Sequence, residues 1–125
     1  MKVSNVIAQL RTTDLKSTIQ FYTSRLGFEL DFEFNDFYAG IKVAESQLIH
    51  LKLVDEKDPS IDYVRNNGHF HLFLVVDDAE STADTLRAND VTFHSNIENT
   101  AWGTKEFYIL DDQGHVLCFA QSIGL

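Results

Sequence analysis

A short segment occurs twice in this chain, and that repeat constrains the fold more than any other feature. Asp14-Leu15-Lys16-Ser17-Thr18-Ile19 matches Asp78-Ala79-Glu80-Ser81-Thr82-Ala83 in register, 64 residues apart in a chain of 125. Each copy reads as a helix start, because the carboxylate of Asp14 or Asp78 can accept from the N–H groups that a first turn leaves open. After the first copy, Leu15, Ile19, Tyr22 and Leu26 recur at i, i+4, i+7 and i+11, one buried helical face. Gly27 then supplies the left-handed position that ends a helix. After the second, Ala79, Ala83 and Leu86 make a smaller face suited to close packing on a sheet, and Asn89-Asp90 ends it.

Alternating, β-rich runs surround both helices. One precedes each, at 6–12 and 70–76, and three follow each, at 28–34, 37–43 and 48–54, then at 91–97, 105–110 and 116–121. Turn chemistry separates them at Asn35-Asp36 and at Asp111-Asp112-Gln113-Gly114. Each half is therefore β-α-β-β-β. The expected class is α+β: a single domain, 1–125, of two modules, 1–54 and 69–125, joined by a polar linker at 55–68 that holds the only proline, Pro59. Two twisted four-stranded sheets set edge to edge form a cupped, incomplete eight-stranded barrel with the helices outside. A cup lined by apolar and aromatic groups with a few polar ones is the expected place for a small ligand.

Composition narrows the partners. The net charge of −9 argues against nucleic acid, whose phosphates need clustered Lys and Arg, and it favours the approach of a cation. One cysteine excludes an internal disulfide and suits a reducing cytoplasm. No apolar run has the length of a membrane span, and Met1-Lys2-Val3-Ser4-Asn5 opens no signal peptide.

Chemistry concentrates in a few residues. Trp102, the only tryptophan, precedes Gly103 in a loop after a polar run, and loops carry recognition. Phe32, Phe37 and Tyr38 cluster about the turn that holds Asp36. With Trp102 and Phe107 they are expected to wall a planar ligand, and carboxylates nearby suit a cationic one. His69 and His71 alternate on one strand with Phe73 and Val75, and His50 lies on a strand of the other module. His115, beside a turn glycine, reads as exposed. Cys118 reads as a buried, inert thiol. No phosphate loop, nucleotide fingerprint or Ser-His-Asp spacing is present.

Three segments carry a family resemblance: Phe21-Tyr22-Thr23-Ser24-Arg25-Leu26-Gly27-Phe28; Asp31-Phe32 followed by Asp36-Phe37; and Trp102-Gly103 with Glu106-Phe107 and Asp111 to Gly114. With the repeated β-α-β-β-β order, the chain resembles the vicinal oxygen chelate superfamily of glyoxalase I, fosfomycin-resistance enzymes, extradiol dioxygenases and bleomycin-resistance proteins. It looks most like the bleomycin-resistance branch. At positions matching the enzymes' metal ligands stand Ile7, His50, His71 and Cys118. Isoleucine cannot coordinate and the last position lacks its carboxylate, so the resemblance implies no catalytic metal and no cofactor. His50, His71 and Cys118 remain as weak candidates for metal. The branch implies a homodimer that sequesters a bleomycin-like molecule in a crevice between subunits, without chemistry. The expected ligand contacts are Phe32, Asp36, Phe37, Tyr38, His50, His71, Trp102 and Phe107. The alternative is an atypical glyoxalase-like or dioxygenase-like enzyme using His50 and His71 with a divalent metal such as Zn, Ni or Fe.

Overall fold

The computed structural model describes residues 1–66 and 70–124. The chain divides into two compact units, Met1–Tyr63 and Val64–Leu125.

The first unit contains β1 (Ala8–Thr12), α1 (Leu15–Gln20), β2 (Glu29–Phe34), β3 (Tyr38–Ala44) and β4 (Gln47–Leu53). Asp14 caps α1: its backbone is extended and its side chain accepts from the Ser17 N–H at 3.1 Å. α1 then widens into a π-turn over Phe21–Arg25, and Gly27 follows with φ +80°. The wider turn rotates the buried face. Leu15, Thr18, Phe21 and Tyr22 are buried, whereas Ile19 and Leu26, expected on that face, are half-buried. The sheet order is β1-β4-β3-β2, with β1 parallel to β4 and the other pairs antiparallel. α1 packs on β3 and β4. Leu10, Thr12, Ala39, Ile41, Ile49 and Leu51 are buried, and the Thr12 and Thr18 hydroxyls satisfy one another at 2.8 Å. Period-2 alternation leaves Gln9, Arg11, Tyr38, Gly40, His50 and Lys52 on the opposite face. Edge strand β2 is exposed along its whole length.

Most of the expected linker is helical. α2 spans Pro59–Asn66, and the division between the units falls inside it. The proline is its first residue, where a missing N–H costs nothing. The Asp58 carboxylate accepts from the Ser60 N–H at 2.9 Å, and Ile61 and Val64 are buried one turn apart. Residues 67 and 68 of the expected linker, and His69, lie outside the described residues.

The second unit repeats the plan with β5 (Phe70–Val75), α3 (Ala79–Ala88), β6 (Thr92–Phe93), β7 (Glu98–Asn99), β8 (Thr104–Leu110) and β9 (Val116–Ser122). Asp78 caps α3 as Asp14 caps α1, accepting from the Ser81 N–H at 3.1 Å. The order β5-β9-β8-β6 is again first, last, next-to-last, second, with β7 also on β8. The single strand expected at 91–97 is interrupted. The His94 and Ser95 amides both donate to the Tyr108 carbonyl, at 2.8 and 3.3 Å, and pairing resumes only at Glu98. Two residues opposite one is how a bulge breaks a ladder. Phe107 is not a ligand wall. It is fully buried, stacked between Phe93 (5.2 Å) and Phe119 (5.3 Å), with Ile109 and Leu117 also buried. The α+β class and the two β-α-β-β-β modules match the reading of the repeat. Among the described residues, no helix is long and apolar enough to cross a membrane.

Candidate functional site

Because Phe107 and Ile109 take the buried face of β8, Glu106 and Tyr108 take the other. The loop before β8 turns through Gly103, at φ +88°, and brings Trp102 back over that face. The Trp102 indole N–H donates to Glu106 Oε2 at 3.2 Å, and the Thr104 hydroxyl donates to the same oxygen at 2.7 Å. The Cys118 thiol donates to Oε1 at 3.6 Å. Glu106 is 6% exposed, and among the described residues no cation pairs with it. Glu98 stands directly opposite Glu106 in the β7–β8 register, a like-charge arrangement that costs stability. A cavity of about 310 Å³ opens here, lined by Ser95, Asn96, Glu98, Trp102, Glu106 and Tyr108 among others. Trp102 keeps 64% of its surface exposed.

The electrostatics are those of a negative, partly dry site. Burial holds the Tyr108 phenol above its ordinary range, reinforced by the charges of Glu106 and Glu98 and, once it ionises, of Cys118. Burial, then the Glu106 charge and the hydrogen bond to it, push the Cys118 thiol up to about 12. A thiol so held is neither a nucleophile nor a ready metal ligand. Of the expected contacts, only Trp102 lines this cavity. Glu98, Glu106 and Tyr108 were not among them. The available signal was a glutamate in mid-strand beside a phenylalanine, one of which had to face away from the core.

In the first unit, Phe32, Tyr38 and His50 come together, although the sequence had grouped His50 with the other histidines. The Phe32 ring lies on Gly40, where any Cβ would overlap it. That seat sets Phe32 nearly parallel to Tyr38 (6.3 Å) and edge-on to His50 (5.4 Å). Tyr38 Oη lies 2.8 Å from His50 Nδ1, and the Gln9 amide donates to the same hydroxyl at 3.1 Å. Arg11 Nε donates to Gln9 Oε1 at 2.9 Å. Neither Gln9 nor Arg11 was singled out in the sequence. Asp36 and Phe37 fall outside this group. Asn35 and Asp36 form the tight turn, with φ of 48° and 60°, and Phe37 packs edge-on against Phe34 at 5.7 Å.

His71, in the second unit, meets the ring of His115 edge-on at 4.8 Å. His115 is not exposed. It is 1% accessible, and its Nδ1 lies 2.8 Å from Asp111 Oδ2. The other Asp111 oxygen accepts from the Gln113 and His115 amides, so this pair locks the β8–β9 turn. A resident metal does not fit the donors present. Among the described residues no three His, Cys, Asp or Glu side chains form a metal-holding group. The Cys118 thiol, pushed up to about 12, is a poor ligand at neutral pH.

Residues 5–119 match the model of the Glyoxalase/Bleomycin resistance protein/Dioxygenase superfamily, and the chain belongs to that superfamily. Several solved structures share its fold. UcmS2 is 20% identical with a TM-score of 0.81, covering 96% of this chain and 98% of its own. A glyoxalase-related enzyme from Clostridium phytofermentans is 18% identical with a TM-score of 0.79, covering 98% of each chain. The genomically encoded fosfomycin resistance protein FosX from Listeria monocytogenes is 14% identical with a TM-score of 0.75, covering 98% of this chain and 95% of its own. No curated protein matches the chain. Identities this low speak for shared fold alone.

Proposed function

We propose that this protein is a non-catalytic small-molecule binder that sequesters a cationic aromatic ligand, bleomycin-like in the limiting case. The observation that carries this reading is Glu106. A carboxylate that is nearly buried, satisfied only by neutral donors and set opposite Glu98, opens onto a cavity and lacks a countercharge. A ligand cation supplies that charge, in a site where water screens it weakly. The Trp102 face beside it can stack on a planar group or meet the cation directly.

The protein works as a homodimer in the cytoplasm. Exposed Leu30, Phe34 and Phe37 supply apolar surface for a second copy to cover. Light scattering at micromolar concentration should give the dimer mass, and a monomer would remove a shared crevice from the account. Ligand binding is tested by titrating metal-free bleomycin while following the fluorescence of Trp102, the sole tryptophan. Saturable quenching that weakens with salt is expected. An unchanged signal at millimolar drug would remove bleomycin-like ligands as a class.

A further inference from the structure

Glu98 and Glu106 are a direct pair across β7 and β8, so their side chains leave the sheet on one face. A sheet built for stability alone would set a cation opposite Glu106. Lys105, the next residue along β8, alternates to the other face, where its ammonium lies 3.7 Å from Glu80. Both carboxylates line the same cavity of about 310 Å³, together with Trp102. They are not equivalent. Glu106 is 6% exposed, whereas Glu98 stands in solvent. Glu106 Oε2 already accepts from the Trp102 indole and from the Thr104 hydroxyl, which occupies its two lone pairs. Oε1 accepts only from the Cys118 thiol, a weak donor at 3.6 Å, and keeps a place for one strong donor. Glu106 by itself therefore cannot take both prongs of a hydrogen-bonding fork. The second acceptor is Glu98, directly opposite.

The geometry points to a ligand whose cationic group carries at least two N–H bonds (a primary ammonium, amidinium or guanidinium) and donates to Glu106 Oε1 and to Glu98 together while its ring meets Trp102. This requirement rests on the cationic reading proposed above and narrows it from any positive charge to a hydrogen-bonding one. Glu98 is then a specificity-determining residue, and its like-charge cost to the sheet is offset only when such a ligand is bound. A quaternary ammonium brings the same charge but no hydrogen. It would leave Oε1 desolvated without a strong donor, held only by the field and the Trp102 face.

The test uses the whole protein, labelled with ¹⁵N-tryptophan, and two probes of the same ring and the same charge, (2-naphthyl)methylammonium and (2-naphthylmethyl)trimethylammonium. The indole N–H signal of Trp102, the sole tryptophan, reports the bond to Glu106 and is followed in both titrations. The primary ammonium should shift that signal saturably and bind about tenfold more tightly than the quaternary one. Glu98→Gln, whose urea midpoint should rise once the like-charge pair is gone, should cut that preference to about threefold. A quaternary probe that binds as tightly as the primary one, or more tightly, would overturn the proposal and leave the cationic reading standing. So would a preference that Glu98→Gln leaves intact. A Trp102 signal that neither probe moves would overturn the proposal and the cationic reading together.

Discussion

The contact between Cys118 and Glu106 bears on stability and, in the proposed function, on recognition. The thiol is fully buried and gives its hydrogen to the carboxylate, which keeps that carboxylate oriented towards the cavity. Its folded-state pKa is raised from 9.0 to about 12, so its contribution to stability is complete below the unfolded value and is lost as pH climbs through that interval. Urea-unfolding midpoints should therefore fall between about pH 9 and pH 12, and Cys118→Ala should flatten part of that slope. A disulfide reagent at about pH 8 should modify the thiol only after unfolding. Rapid labelling of the folded protein would contradict the assigned environment. His115 teaches a different lesson at this scale. A histidine beside a turn glycine invites a surface assignment, yet Asp111, four residues earlier, draws it inside. Sequence distance across the turn is short, but nothing in it shows that the carboxylate folds inward.

At the level of elements, the sheet of the first unit depends on a vacancy at Gly40. Phe32 can fold over the strand only because Gly40 has no Cβ, and the ring then touches both Tyr38 and His50. Gly40→Ala should cost about 1–3 kcal/mol, the range for overpacking a filled site, and should unseat Phe32. Phe32→Ala in the same chain should recover most of that loss, because the overlapping ring is then gone. Urea denaturation of the double-mutant cycle measures the coupling, and additive losses would show that the two residues do not share one seat. Other elements were legible without the structure. Asp14 and Asp78 cap their helices with the same geometry, as the repeated hexapeptide implies. α2 was missed because Pro59 reads equally well as punctuation or as a first helical residue, and only the buried Ile61 and Val64 decide between them. The face of β8 was likewise ambiguous. Strict alternation in Glu106-Phe107-Tyr108-Ile109 requires two faces but does not say which one meets α3.

For the whole molecule, the repeat was the strongest message in the chain, because two copies of one element order must build two similar sheets. Both units follow the order first, last, next-to-last, second, and the superfamily match over residues 5–119 agrees with it. The sites were less legible, since a site depends on which side chains a register sets opposite one another. The clustering of Phe32 and Tyr38 was anticipated, and the place of His50 beside them was not. The burial of the Glu106 carboxylate was not anticipated either, because the Glu106-Phe107 motif marks both residues without showing which of them faces the core. The account rests on that carboxylate, and Glu106→Gln tests it with almost no change of shape. Metal-free bleomycin should bind the wild type saturably, with quenching of Trp102, and should bind the Gln variant about tenfold more weakly, a loss of about 1.4 kcal/mol. Equal affinity in the two proteins, with both folded, would contradict the claim that Glu106 is the anion that pairs with the ligand cation.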